Sequence, residues 1–274
     1  SSMTSTLPGG ALTKWEVTQD AVASVLATYG EQTNFGLMLY PGPSGGGARG
    51  IEGPVGACRH EQMNVECTPT FPRCTTGEVV VPPGAGNEQA INDAMAWPAG
   101  LRFSYTPTWQ SLQAAANGIN QMGTPEYDAL AGMRAANARN FVVLVTDGWQ
   151  CCGLYTTPEG ELRCENEPRN LVPDAVATLR NLGISTFVVG FGASVDQATL
   201  HDSAIEAGTA RANCDPDAPV GADNRCYYQA DDAQQLVDSL SAIARVVNVE
   251  ICNAEDDDCD GLFDEGVAND CNGC

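Results

Sequence analysis

The chain has 274 residues and a formal net charge of −22, from 35 acidic against 13 basic side chains. So acidic a surface repels nucleic-acid phosphate and anionic membranes and favours divalent cations, which argues against a nucleic-acid partner. Hydrophobic residues make up 43% of the sequence, too many for a disordered chain, yet no apolar run reaches membrane-spanning length.

The first helical signal runs over 12–29, where Leu12, Trp15, Val22, Val25 and Leu26 recur at helical spacing before Gly30. Phe35-Gly-Leu-Met-Leu-Tyr40 reads as a buried strand closed by Pro41-Gly42-Pro43. A Gly-rich insertion over 41–77 then carries Cys58, Cys67 and Cys74 without periodicity. Glu78-Val-Val-Val81 is a short strand stopped by Pro82-Pro83, and 87–97 a short helix with Ile91, Ala94 and Met95 on one side. Thr106-Pro107-Thr108 starts a helix through Leu112 and Ala116, because proline suits a first helical turn. Gly123-Thr124-Pro125-Glu126 is a second helix start, ahead of Leu130 and Met133.

Asn140-Phe-Val-Val-Leu-Val-Thr-Asp147-Gly148 is the most informative stretch. Five apolar residues without alternation read as a strand buried on both faces, as in a parallel sheet covered by helices. It ends in a carboxylate, Asp147, at the carboxyl edge, where open α/β sheets bind their ligands. Beyond it come a loop over 149–170 with Cys151, Cys152 and Cys164, a helix over 174–182, and a buried strand over 184–190. Helical spacing over 196–207, a loop holding Cys214 and Cys226, a short strand at Tyr227-Tyr228 and a helix over 232–247 complete the series. That last helix has Leu236, Leu240, Ile243 and Val246 as its stripe. Strands alternating with helices predict an α/β fold with a doubly wound, mainly parallel sheet. The composition shifts to Cys, Asp, Asn and Gly near residue 250, so two domains are expected, 1–249 and a disulfide-rich calcium-loop tail over 250–274.

Twelve cysteines against two histidines, His60 and His201, point to disulfides rather than zinc. The compartment is then oxidising, and the protein is read as secreted or displayed on a cell surface. Cys214 is expected to pair with Cys226 and Cys252 with Cys259. The six at 58, 67, 74, 151, 152 and 164 pair among themselves in an order the sequence leaves open. Neither histidine lies in a nucleophile motif, and no Gly-x-Ser-x-Gly, His-Glu-x-x-His or phosphate-binding loop occurs, so no enzymatic activity is expected.

The order of elements, with the strand ending at Asp147, the loop Thr106-Pro-Thr and the opening Ser2-Met3, resembles a von Willebrand factor A domain over roughly 1–249. The resemblance implies a metal-ion-dependent adhesion site with Ser2 and Thr106 as hydroxyl ligands and Asp147 as carboxylate. Thr124 is the competing threonine, and Thr106 is preferred. The family's leading Asp-x-Ser would precede residue 1. Hydroxyls and carboxylates are hard oxygen ligands suited to Mg²⁺, Ca²⁺ or Mn²⁺. With few protein charges around it, the ion can take a partner's carboxylate, which implies a protein ligand or surface component as partner. Trp149 and the loop disulfides are read as the rim. Replacing Asp147 by alanine is expected to weaken binding while leaving the fold largely intact. The resemblance also places the family's first strand mid-sheet, between the strands ending at Tyr40 and Asp147. The expected occupant of that slot is an upstream segment, a cleaved piece still bound, or a strand donated by another subunit.

In the tail, Asp256, Asp258 and Asp260 alternate ahead of Gly261, as in the opening half of a calcium loop of EF-hand type. Val267 stands where the closing glutamate would be, so Asp264 and Glu265 would close a shorter shell. The segment resembles the Asp- and Cys-rich metal-binding repeat linked by name to MopE-type proteins and copper. Without histidine or methionine, the hard-ligand logic favours Ca²⁺. The competing overall reading is a calcium-stabilised structural subunit of a surface assembly with an inactive edge.

Carboxylates spaced two apart repel one another without a cation, and the tail has almost no apolar core to hold it. Calorimetric titration is predicted to show calcium uptake that disappears in the Asp256→Ala/Asp260→Ala double variant. Equal uptake by both proteins would remove the calcium assignment.

Overall fold

A strand inside a parallel sheet needs cover on both faces, and the computed structural model of the chain provides it for the longest strand among the described residues. The structure describes residues 3, 5–40, 76–96, 106–120, 130, 133, 139–151, 154–156, 162–164 and 168–247. Ser2, Thr124, Asp256, Asp258, Asp260 and Asp264 lie outside them, as does the expected boundary near residue 250.

The elements in chain order are α1 (Lys14–Tyr29), β1 (Leu37–Leu39), β2 (Glu78–Val81), α2 (Glu88–Met95), α3 (Thr108–Asn120), β3 (Asn140–Thr146) and β4 (Leu154–Thr156). They continue with β5 (Leu162–Cys164), α4 (Leu171–Asn181), β6 (Ile184–Phe191), α5 (Gln197–Glu206), β7 (Tyr228–Ala230) and α6 (Ala233–Val247). β3, β6 and β7 form a parallel sheet in the order β3-β6-β7. β3 runs in register with β6 from Asn140 opposite Ile184 to Thr146 opposite Gly190.

Successive side chains of a strand point to opposite faces. Ile184 and Val188 of β6 therefore enter one core with Val176 and Leu179 of α4 and Leu200 and Ala204 of α5. Phe187, Val189 and Phe191 enter the other, against Val17, Ala21 and Val25 of α1 and Leu236 and Ile243 of α6. Each of the Val, Leu, Ile and Phe side chains among them, fully buried, contributes roughly 1.5–3 kcal/mol. A third cluster of Leu26, Val81, Ile91 and Met95 joins α1, β2 and α2. The chain is thus a mixed α/β fold with helices on both faces of a small parallel sheet.

Several details depart from the sequence reading. β1 and β2 pair with each other antiparallel, and among the described residues they form a sheet separate from β3. The cysteine-bearing loop over 149–170 contains an antiparallel hairpin, β4 with β5, whose three-residue strands are too short to show a period. Helix α4 starts three residues earlier than expected, because Pro173 falls in its first turn, where a missing N–H leaves no bond unmade. Leu12 precedes α1 and is exposed, and so is Val246 in the last turn of α6.

Cys214 and Cys226 are bonded as expected. The buried His201 accepts the Cys226 amide at Nδ1 (3.2 Å), which gives this histidine a packing role. The bridge spans a sequence separation of 12 just before β7. Closing a loop of that length restricts the unfolded chain, so Cys214→Ser/Cys226→Ser is predicted to lower the unfolding free energy by about 2–4 kcal/mol in urea titrations.

Candidate functional site at the carboxyl edge of the parallel sheet

Where β3 and β6 end, their carboxyl edges face the beginning of α1. That helix is started by a capping box: the Thr13 side chain accepts the Glu16 amide (3.2 Å) and Glu16 accepts the Thr13 amide (2.7 Å). The Thr13 amide, and the Thr13 hydroxyl donating to the same carboxyl at 2.8 Å, hold Glu16 below its ordinary range. The box fixes Lys14 as the first residue of the helix, and Lys14 N–H donates to the Ser5 carbonyl at 2.9 Å. From there its ammonium reaches Asp147, with Nζ 3.2 Å from Oδ2. The two side chains are 8% and 6% exposed, so this is a buried ion pair.

Room for the ammonium comes from Gly192, the residue after β6. A Cβ built there would lie 3.0 Å from Lys14 Nζ and 3.1 Å from Cε, and its φ of 83° is one that side chains rarely adopt. Gly192 is itself fixed, its N–H donating to the Ala230 carbonyl (2.7 Å) and its carbonyl accepting from Gln229 Nε2 (3.0 Å).

Beside this pair lies a group of hydroxyls. Tyr40, just past β1, donates to the Val145 carbonyl at 2.7 Å and so bridges the two sheets. Burial pushes its phenol well above the ordinary value; hydrogen bonds with Thr146 and Thr108 pull it back, while the Asp147 charge adds to the rise. Thr108, Thr146 and Asp147 are all buried.

Thr106 is placed by backbone rather than by its side chain. Its N–H donates to the Cys151 carbonyl (2.9 Å) and the Cys151 N–H to the Thr106 carbonyl (3.0 Å). The loop that starts α3 is therefore bonded to the loop that follows Asp147. Gln150 reinforces the join: its Oε1 accepts the Trp109 amide (3.0 Å), and its Nε2 donates to Gln110 (2.9 Å). The structure thus brings the loops of two sequence-predicted ligands, Thr106 and Asp147, side by side. Sequence reasoning missed Lys14, Tyr40 and Thr108. For Lys14 there was a signal, a cation at the helix end where the dipole disfavours it.

The rim is aromatic and charged. Trp149 is exposed, the Arg169 guanidinium stacks 5.3 Å from its ring centroid, and Arg169 Nε lies 3.7 Å from the carboxylate of Asp196. Asp196 caps α5 and accepts the Thr199 hydroxyl at 2.8 Å.

A divalent ion fits the chemistry of this donor set. The carboxylate and hydroxyl oxygens are hard ligands, and the Lys14 ammonium is a stand-in positive charge already seated against Asp147. Among the described residues, no three His, Cys, Asp or Glu side chains gather into a metal cluster of their own.

No family model and no curated protein matches the sequence. Among solved structures, the chain is similar to the pilus adhesin SpaC from Lactobacillus rhamnosus GG, at 14% identity and a TM-score of 0.45. The likeness covers 85% of this chain and 28% of that one, so the chain spans less than a third of the adhesin's length.

The ion pair revises the expectation for Asp147→Ala. Removing one partner strands a buried charge, and the unfolding free energy is predicted to fall by about 3–5 kcal/mol. Lys14→Met/Asp147→Leu, which removes both charges, is predicted to regain most of that loss. Equal losses in the single and double variants, measured by urea denaturation, would show that the pair itself is not responsible.

Proposed function

We propose that the protein is a secreted or surface-displayed binding module of von Willebrand factor A type, which recognises a protein partner through a divalent ion at the carboxyl edge of its sheet. Asp147 supplies the carboxylate, Thr106 and Ser2 supply hydroxyls, and the ion's remaining position takes an oxygen from the partner, such as a carboxylate. The observation that carries this reading is the joining of the Thr106 and Asp147 loops by paired backbone bonds beside a seated positive charge. Mg²⁺ suits such a site best, since it holds few protein ligands and keeps open positions, with Ca²⁺ or Mn²⁺ as substitutes. The exposed Trp149–Arg169 stack at the rim is the kind of anchor that interfaces favour. The Cys214–Cys226 bond, together with the bonded state of Cys151, fits an oxidising compartment. No described helix is long and apolar enough to cross a membrane. Binding rather than catalysis is the proposed role, with Ca²⁺ in the tail held by Asp256, Asp258, Asp260 and Asp264.

One observation favours a second reading, that of a structural subunit whose edge is inactive: Asp147 is ion-paired with Lys14. Capture of extracellular-matrix or cell-surface protein on the immobilised chain separates the two. The adhesion reading predicts binding in Mg²⁺, loss in a chelator, recovery on re-addition of Mg²⁺, and at least a tenfold weakening in Thr106→Ala, about 1.4 kcal/mol or more. Binding that is indifferent to chelation would remove the metal-dependent edge, and no capture at all would leave only the structural role.

A further inference from the structure

Lys14 has no place in the adhesion mechanism as so far described, yet it is the most constrained cation among the described residues. It stands at the first position of α1, where the helix dipole opposes positive charge, and it is buried. A buried ammonium is retained only against a compensating partner, and Asp147 Oδ2 at 3.2 Å is that partner. The arrangement is built from three sides. The capping box and the bond to Ser5 fix the backbone of Lys14, Gly192 leaves the space for its ammonium, and β3 delivers the carboxylate.

The same carboxylate is the only acid among the three ligands proposed for the divalent ion. Seating both cations would set three positive charges against Asp147 in a buried place, and like charges at that range repel strongly. One of them has to leave. Lysine can do so, since its charge rides on a flexible four-carbon stem, whereas its backbone stays anchored in the helix.

We infer that Lys14 is a tethered competitor of the divalent cation at Asp147, a residue that sets how tightly the edge binds its ion. The inference rests on the metal-dependent reading above. With the ion absent, Lys14 neutralises Asp147 and closes the edge. With the ion present, the ammonium is displaced and the hydroxyls and carboxylate face the metal. Monovalent cations, with no more charge than the ammonium and no tether, do not displace it. The ion's intrinsic affinity for the oxygens is therefore reduced by the work of expelling Lys14, and the free edge is held in one defined closed form.

The test is calorimetric titration of the whole chain with Mn²⁺ in wild type, Lys14→Met and Lys14→Arg, with thermal melts recorded in parallel. Lys14→Met is expected to bind Mn²⁺ at least about tenfold more tightly, and its melting temperature to rise further than wild type's on adding the ion. Lys14→Arg keeps the charge and is expected to stay as weak as wild type. Adding Asp147→Asn to Lys14→Met is expected to abolish the gain. Should Lys14→Met fail to fold, Lys14→Gln serves, because its amide can still donate to Asp147 without a charge. If Mn²⁺ uptake by wild type is lost in Asp147→Asn and the neutral variants bind the ion no more tightly, the competition is refuted while the metal-dependent edge stands. If no Mn²⁺ uptake by any of these proteins depends on Asp147, the competition and the metal-dependent edge are both refuted.

Discussion

Everything at the edge depends on the parallel pairing of β3 with β6. Parallel strands give no side-by-side turn to hold them together, so the pair lasts only if helices seal both faces. Here β6 does the sealing work for its neighbour. Its alternate side chains enter two separate cores, one with α4 and α5 and one with α1 and α6. Because the strands run in register to Thr146 opposite Gly190, they end at one level. That level is what places Asp147 and Gly192 next to each other, and α1, packed on the same sheet, brings Lys14 to both.

The edge is held by a pair whose stabilising and destabilising contributions nearly cancel. A pair as buried as Lys14 and Asp147 has already lost its hydration, so the attraction between the two charges is offset by what they lost in leaving water. Such a pair adds little to stability compared with well-packed apolar side chains. What it does is define one arrangement of the edge, since any other separates two buried opposite charges. The oxygen-rich surroundings of Tyr40, Thr108 and Thr146 make that arrangement suited to a positive charge in general, whichever group supplies it.

How much of this could be read from residues alone depended on the length of the signal. β3 was legible as a strand from its five consecutive apolar residues and β6 from Phe187-Val188-Val189. But β3 is not buried on both faces as expected, since Val143 is exposed and only Leu144 of its five apolar residues is buried. The helices α1, α3, α5 and α6 were legible from their apolar period, to within a few residues at the ends. The three-residue strands of the β4–β5 hairpin were not, for they are shorter than any period and lie among cysteines and turn residues. The antiparallel β1–β2 pairing was also hidden, because direction follows from how the chain returns over the long Gly-rich insertion, and that insertion has no pattern. At the site, Asp147 and Thr106 stood out by position, each where an element meets a loop. Lys14 and Tyr40 did not, because their importance comes from reaching across 133 and 105 residues of sequence to the end of β3.

The side chain of Gln150 ties two parts of the molecule that the sequence keeps apart. It belongs to the loop after Asp147, yet it accepts an amide from the first turn of α3 and holds the neighbouring glutamine. Thr106 and Cys151 make the same join through backbone. A load applied to the edge would therefore not travel along β3 alone. It would be shared sideways into α3, and through the packing of α3 on α4 into the body beneath the sheet. A lone loop under tension peels away one bond at a time, whereas bonds arranged side by side have to break together. The edge is cross-braced.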